Sequence, residues 1–160
     1  MANTSAITTS FKTELMLGAH QLGAVTLISR GSLTSPTTDT INAALYLVSG
    51  SVGASSTVYT TSGEVSGTNY AAGGVAVTNA TAPTNSGTTA YWTPSASIVY
   101  TTVTLSTAFD TVMLYNATQT VGGVGRAILT YNFGSTTVTA GTLTLTMPTN
   151  DSSHALIQLA

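Results

Sequence analysis

The sequence predicts an all-β fold, a single antiparallel β-sandwich of jelly-roll-like type with one short amino-terminal helix. Three observations indicate this class: short segments that alternate apolar and polar residues, turns rich in Gly, Ser and Asn between them, and abundant Thr, whose β-branched side chain suits a pleated surface. At 160 residues the chain has the length of one domain. We therefore expect a single domain over residues 1–160, with residues 1–9 as an amino-terminal arm.

The amino-terminal part contains the only predicted helix. Residues 1–9 are polar and show little periodicity, and we expect this arm to pack against a neighbouring subunit. Residues 24–40 mix a short apolar run with Gly and Pro, which predicts a strand fragment followed by a loop. The helix is predicted over residues 10–22, where apolar residues recur at spacings of four, four and three: Phe11, Leu15, Ala19 and Leu22.

The rest of the chain predicts strands. Gly122, Gly123 and Gly125 predict a turn with positive φ between two antiparallel strands, and Gly134 and Gly141 predict further turns. The predicted strands cover residues 41–48, 58–61, 75–78, 98–105, 109–116, 126–133, 142–147 and 155–159.

Two of these strands allow a prediction of which side chains are buried. Residues 41–48 carry apolar side chains on both faces, so we expect both faces of that strand to be covered. Residues 126–133 alternate, and the alternation predicts four inward side chains: Ala127, Leu129, Tyr131 and Phe133.

Charge is scarce, and this excludes several classes of protein. Charged residues make up 5% of the chain, and the net charge is -2. Three cations cannot neutralise the run of phosphates that nucleic-acid binding uses. The longest apolar run, residues 41–48, is far shorter than the roughly 20 residues that span a bilayer. We expect no nucleic-acid or membrane partner, and the lack of a secretory signal predicts cytoplasmic synthesis.

The ionisable residues predict no catalysis. Five carboxylates and two histidines occur singly, without the spacing of a zinc site or the acidic loop of a calcium site. Asp151 and His154 lie beside Ser152 and Ser153, but a catalytic triad needs side chains that converge from different elements. We therefore expect no enzyme activity, no catalytic residue, no metal site and no cofactor.

The segment 58–78 contains Glu64, the only charged residue between Asp39 and Asp110. Because an unpaired charge near buried surface is costly, Glu64 and Arg126 are each expected to have a defined partner, and one option is that they pair with each other. The alternative is two solvated side chains.

Aromatic residues near the predicted loops allow a second interpretation. They could form a platform on which a sugar stacks, or they could belong to the core or to a subunit contact. A sugar-binding platform should leave Tyr70, Tyr91 or Trp92 exposed, whereas a subunit interface should bury the arm and the flanks of Glu64. The candidate platform residues are Tyr59, Tyr70, Tyr91 and Trp92.

Several segments together resemble a family of small virion structural proteins of tailed bacteriophages. They read, in order, FKTELMLGAHQL, DTINAALYLVSG, YTTSGEVSGTNYAAGGVAVT, FDTVMLYNATQTVGGVGRAILTYNFGSTTVTAGTLTLTMP and ALIQLA, and residues 64–74 are the most specific part. The chain departs from the family pattern over residues 24–38, which look like an insertion. It also lacks a tryptophan shortly before Phe109, with Trp92 placed earlier.

The resemblance implies a capsid decoration or cement protein that binds the major capsid protein or other virion proteins and stabilises the shell. Its location would be the virion, after synthesis in the host cytoplasm, and a homo-oligomer would be expected, with a trimer favoured. The candidate subunit-contact residues are Glu64, Tyr70 and Arg126. The alternatives are a tail or baseplate component and a carbohydrate-binding module of a host-recognition appendage.

Overall fold

A computed structural model of the chain describes residues 3–23 and 37–160. It contains two antiparallel sheets and one short helix, which confirms the predicted all-β, sandwich-like fold. The strand order is β1-β7-β6-β2-β3 in the larger sheet and β4-β5-β8 in the smaller one. The elements are β1 (Ala6–Ile7), α1 (Thr9–Met16), β2 (Ile41–Leu47), β3 (Val75–Ala76), β4 (Thr84–Ser86), β5 (Thr89–Trp92), β6 (Ile98–Val121), β7 (Val124–Leu145) and β8 (Ile157–Leu159).

Helix α1 is shorter than the predicted 10–22. Thr8 caps its amino end by accepting a hydrogen bond from the Phe11 N–H at 3.3 Å. Gly18, at φ +67°, ends it: its N–H bonds to the Leu15 carbonyl, and the Ala19 N–H reaches back to the Glu14 carbonyl. This pair of bonds is a Schellman motif, in which a left-handed glycine stops the helix whatever the apolar spacing beyond it.

The described part of the amino-terminal arm packs on its own chain, and its expected contact with a neighbouring subunit stays a prediction. Strand β1 pairs with Leu129 and Thr130 of β7. The Asn3 side chain, 7% exposed, donates hydrogen bonds to the Leu47 carbonyl and to Asp110 and accepts one from the Val52 N–H. Backbone pairing and one buried amide therefore hold the described part of the arm.

Strands β6 and β7 form one long hairpin, where four separate strands were predicted. Gly122 and Gly123, at φ +59° and +80°, make the predicted turn at its tip. The turns predicted at Gly134 and Gly141 are wrong, because both residues lie inside β7. Several register shifts interrupt the pairing, so β-bulges bend the ribbon where the glycines suggested that it ended.

One bulge also changes which side chains are buried. Leu114 pairs with Leu129 while Tyr115 pairs with Ala127, which leaves Ile128 as an extra residue on β7. Ile128 and Leu129 are consequently both buried, whereas Ala127 faces the other side of the sheet. The buried face of the strand therefore changes at the bulge. Tyr131, which was also predicted to face inward, pairs with Val112 and is 50% exposed.

Both faces of β2 are covered, as predicted. One face contributes Ile41, Ala43 and Leu45 to the main core. The other lies over a smaller cluster with β6 and β7 residues, crossed by residues 58–65, here named the crossing loop. Val58 bridges to Arg126 on β7 and Glu64 bridges to Tyr46 on β2, so the loop crosses β6; no strand forms at the predicted 58–61. The smaller cluster contains Ala44, Tyr46, Val52, Met113, Tyr115 and Ala127.

The four remaining strands agree only in part with the strands predicted from the sequence. Strand β3 confirms the first half of the predicted 75–78, and β8 confirms the terminal strand. The β4–β5 hairpin was not predicted. The strand fragment expected early in residues 24–40 lies outside the described residues.

Candidate functional site

Glu64, at the end of the crossing loop, is the centre of a hydrogen-bonded cluster. Its Oε2 accepts a hydrogen bond from the Tyr59 hydroxyl at 2.5 Å. Its Oε1 accepts one from the Tyr70 hydroxyl at 2.8 Å and one from the Gly73 N–H at 2.7 Å. The Tyr70 hydroxyl in turn accepts from the Leu45 N–H on β2. The carboxylate therefore joins the crossing loop, the following turn and strand β2.

Five tyrosines surround this carboxylate and hold the loop to the sheet. Three of them donate to backbone carbonyls: Tyr46 to Thr60, Tyr100 to Ala43 and Tyr115 to Gly73. Two ring pairs add packing, with centroids 4.7 Å apart in one and 6.0 Å in the other. The stacked pairs are Tyr59 with Tyr115 and Tyr70 with Tyr100.

Burial raises the pKa of all five hydroxyls above the ordinary value of a tyrosine, and the nearby Glu64 charge raises each further. Both effects disfavour a phenolate, so the hydroxyls remain donors. A carboxylate surrounded by donors that keep their protons is a structural anchor, because it has no group to exchange a proton with.

A pair of glycines lets the cluster form. Gly73 and Gly74 have φ of +90° and +74°. A Cβ on Gly74 would overlap the carbonyl group of Ala43 on β2, so only glycine fits at this close approach. Glu64 and this glycine pair, all within residues 58–78, therefore belong to one packed unit.

A second ionisable cluster lies on the opposite face of the sheet, under α1. The Glu14 side chain, 10% exposed, forms an ion pair with Arg126 and accepts a hydrogen bond at 2.7 Å from Nε2 of the fully buried His20 side chain. The proposed Glu64–Arg126 pair is wrong. Side chains alternate along β7, and because Ala127 faces the crossing loop, Arg126 faces the helix.

Asn116 extends this second cluster and sets the tautomer of the histidine. Its Oδ1 accepts from the Thr118 and Gln119 N–H groups, so its Nδ2 faces both His20 Nδ1 and Asp39. Since that amide donates, Nδ1 accepts and the proton of the neutral ring lies on Nε2, directed at Glu14. The sequence analysis missed this cluster, and the only signal for it was the scarcity of charge.

The third acidic site, Asp151, forms a surface turn. Its carboxylate accepts from the N–H groups of Ser153 and His154 and contacts His154 Nδ1 at 2.9 Å. The Ser153 N–H, followed by the contacts with His154, lowers the pKa of Asp151. In the described part of the chain no hydroxyl hydrogen-bonds to His154. The arrangement is a side chain capping its own loop, without a nucleophile.

Two of the four aromatic residues considered for a sugar platform are packed into the fold. Trp92 is 1% exposed, and its indole N–H donates to the Thr81 carbonyl at 2.9 Å. Tyr70 is half-buried, with its hydroxyl bound to Glu64 and its ring stacked on Tyr100. Tyr59 and Tyr91 are also half-buried, so none of the four rings is fully exposed, and sugar binding stays a prediction.

An apolar groove of about 890 Å³ opens beside the bent part of β7. Its buried lining comes from Val112, Leu114 and Ala155, and half-buried Phe133 and Leu145 add to the walls. Its volume falls in the range of small-molecule pockets, about 300–1,000 Å³. The only histidine in the lining is His154, so the groove offers hydrophobic contact and little charge.

The described residues offer neither a metal cluster nor a membrane-spanning helix. No group of three or more His, Cys, Asp or Glu side chains among them is placed to hold a metal ion. None of their helices is long and apolar enough to cross a membrane. The participation of Glu64, Tyr70 and Arg126 in a subunit contact stays a prediction.

Comparison of the chain with protein-family models, curated proteins and solved structures finds no match in any of the three.

Proposed function

We propose that this protein is a structural component of a bacteriophage particle, a capsid decoration or cement protein that binds the assembled shell and stabilises it. One observation supports a structural role: each of the five side-chain carboxylates accepts a hydrogen bond from another group of the same chain. These are Glu14, Asp39, Glu64, Asp110 and Asp151.

Catalysis needs at least one acid, base or nucleophile that faces a substrate. The two most buried carboxylates, Glu14 and Asp39, have partners inside the fold, and Glu64 is surrounded by tyrosine donors. The groove has largely apolar walls, and the ionisable side chains among its lining residues are His154 and Tyr131. A binding role without chemistry fits this distribution best.

The surface favours contacts that salt hardly affects. The exposed side chains of the second half of β7 are largely threonines, whose methyl and hydroxyl groups form apolar contacts and neutral hydrogen bonds. Such contacts are screened far less than ion pairs between exposed charges. The exposed threonines of this part of β7 and of the position after it are Thr137, Thr139, Thr142, Thr144 and Thr146.

The mechanism of stabilisation would be mass action. A protein that binds the closed shell and not its opened form shifts the equilibrium toward the closed form, by about 2.7 kcal/mol per site at a hundredfold excess over Kd. Many copies on one shell multiply this effect without any chemical step. The segments that resemble virion structural proteins of tailed phages support the choice of this class of particle.

The test is binding of the purified protein to shells that lack it, from the phage that encodes it. We expect saturable cosedimentation, a higher temperature of shell opening, and little change in affinity when the salt is raised. Shells already carrying the protein are the matched control, because their sites are filled. Failure to bind undecorated shells, with binding to purified tails or baseplates instead, would replace the capsid assignment by the tail or baseplate alternative.

A further inference from the structure

The β6–β7 hairpin has a bulge just below its tip, and a side chain closes it. The register shifts after Asn116, so residues 117–119 of β6 have no partner on β7. The Asn116 Oδ1 takes the place of that partner, because it accepts the Thr118 N–H at 3.0 Å and the Gln119 N–H at 2.9 Å. One amide oxygen therefore holds two backbone donors that the ladder with β7 leaves over.

The nitrogen of the same amide lies on the buried His20 ring. Asn116 Nδ2 donates to His20 Nδ1 at 3.0 Å and to the Asp39 carboxylate at 2.6 Å. Turning the amide over would point its NH₂ group at the two N–H groups of the bulge and its oxygen at the Asp39 carboxylate. The amide is thus fixed in one orientation, which suits a His20 Nδ1 that carries no proton.

The charged groups around His20, among the described residues, come from three elements. Glu14 of α1 contacts Nε2 at 2.7 Å, and Arg126 of β7 forms an ion pair with the same carboxylate. Asp39, in the segment before β2, lies on the far side of the Asn116 amide. The ring therefore has a carboxylate on its Nε2 side and a second one behind the amide on its Nδ1 side.

We propose that the bulge at residues 117–119 is an acid-sensitive hinge, which opens when His20 takes a second ring proton. The added Nδ1–H meets the Asn116 NH₂ group, donor against donor, and displaces it. The imidazolium then has the Asp39 carboxylate to bind through Nδ1 and keeps Glu14 on Nε2, while the two N–H groups of the bulge lose their acceptor. One proton at a buried ring thereby loosens the exposed tip of the hairpin. The hinge goes beyond the proposed function and does not depend on it.

Nuclear magnetic resonance of the wild-type protein tests the hinge, since it observes the ring and the bulge in one sample. The chemical shifts of the His20 ring report its protonation, and hydrogen exchange, corrected for the intrinsic effect of pH, reports the protection of each N–H. We expect the protection of Thr118 and Gln119 to fall roughly tenfold or more as His20 takes its proton, because a hydrogen bond is lost. The Ala127 N–H, bound to the Thr57 carbonyl on the same hairpin, is the control and should keep its protection.

Two substitutions separate His20 from other effects of acid. The side chain in His20→Gln can donate to Glu14 but does not titrate, so the protection of the bulge should stay constant with pH. His154→Gln is the matched control, because His154 is the other histidine of the chain and its side chain is 67% exposed. It should leave the opening of the bulge unchanged. Circular dichroism checks that both variants fold, and the wild-type titration decides alone if His20→Gln does not.

Three results would overturn the proposal. One is protonation of His20 without loss of protection at Thr118 and Gln119, and another is a His20 ring that stays neutral until the whole chain unfolds. The third is an acid-dependent loss of protection that persists in His20→Gln. None of these measurements involves shells, so the hinge and the proposed function stand or fail separately.

Discussion

Arg126 forms its ion pair with Glu14 on the helix side of the larger sheet, while its own backbone bridges to Val58 of the crossing loop on the strand edge. Arg126 therefore contacts the elements on both sides of the larger sheet: α1 through its side chain and the crossing loop through its backbone. Its charge stabilises the contact with α1, and its backbone positions the start of the loop that ends at Glu64. The Glu14 cluster and the Glu64 cluster are thus linked through the backbone of Arg126, and we expect no electrostatic coupling between Arg126 and Glu64.

Double-mutant cycles distinguish these two relationships. We expect Glu14→Gln and Arg126→Gln each to lower the free energy of unfolding by about 2–3 kcal/mol, because each leaves a largely buried charge without its partner. The double variant should cost little more than either single one. For Glu64→Gln with Arg126→Gln we expect additive losses within about 0.5 kcal/mol. Urea unfolding followed by circular dichroism measures all of them.

Coupling between Glu64 and Arg126 in that experiment, with additivity between Glu14 and Arg126, would contradict the arrangement of charges described here. Subunit association must be held constant, because an oligomer makes the unfolding free energy depend on protein concentration. The cycles are therefore run at one fixed concentration.

The hydrogen bonds of the Glu64 carboxylate predict that the isosteric substitution Glu64→Gln destabilises the protein. In Glu64→Gln one of the two oxygens becomes an NH₂ group, which meets a donor where it needs an acceptor. We expect a loss of about 2 kcal/mol, since a buried donor is left without an acceptor. Adding Tyr59→Phe removes one of the conflicting donors, so it should cost little in the Glu64→Gln background.

Tyr131→Phe is the matched control for that pair, because Tyr131 is 50% exposed and lies away from the Glu64 cluster. Thermal or urea unfolding of the four variants gives the comparison. A Tyr59→Phe loss that is equal in the wild-type and Glu64→Gln backgrounds would mean that the hydroxyl does not depend on the Glu64 carboxylate.

The sequence predicted the fold class because alternation is a local property, and β2 and the turn at Gly122 and Gly123 were recovered for that reason. The end of α1 was missed because the apolar spacing continues past Gly18, while the Schellman bonds that stop the helix involve only backbone. The phase of β7 was missed because the bulge at Ile128 depends on pairing with β6. Register is a relationship between strands, and a single strand does not encode it.

In the candidate sites, too, local features could be predicted from the sequence and contacts between distant residues could not. Glu64, Gly73 and Gly74 lie in one short segment that stands out in the sequence, but the binding of the Glu64 carboxylate to the turn at Gly73 was not predicted. The partner of Arg126 is 112 residues away in Glu14, and the face on which Arg126 lies follows from the pairing of β7. With only eight charged residues in the chain, the need for a partner was predictable and its identity was not.

The close approach at Gly74 predicts a large effect of a small substitution. Gly74→Ala adds a methyl group that overlaps the Ala43 carbonyl group, so the turn or β2 must move. We expect a loss above about 3 kcal/mol, or failure to fold, which belongs to the rare range of single substitutions.

Gly87→Ala is the control, because Gly87 also has positive φ, +57°, but a Cβ there meets nothing within 4 Å. It should cost about 1–2 kcal/mol, the penalty for a left-handed alanine alone. Thermal unfolding compares the two variants. Equal losses would show that the backbone conformation, and not the contact with β2, makes Gly74 necessary.

The tyrosine cluster predicts how the protein responds to alkaline pH. Burial raises the pKa of Tyr46, Tyr70 and Tyr100, and the Glu64 charge raises it further. Because the folded pKa lies above the unfolded value of about 10, the stabilisation is complete below pH 10 and is lost as the pH rises above it. Each of these tyrosines should then lower the free energy of unfolding by up to about 1.4 kcal/mol per pH unit. We expect the phenolate absorbance at 295 nm from this cluster to appear together with the loss of the circular dichroism signal, in one cooperative step. Phenolate absorbance from all seven tyrosines at a pH where the protein is still folded would contradict the burial of the cluster around Glu64.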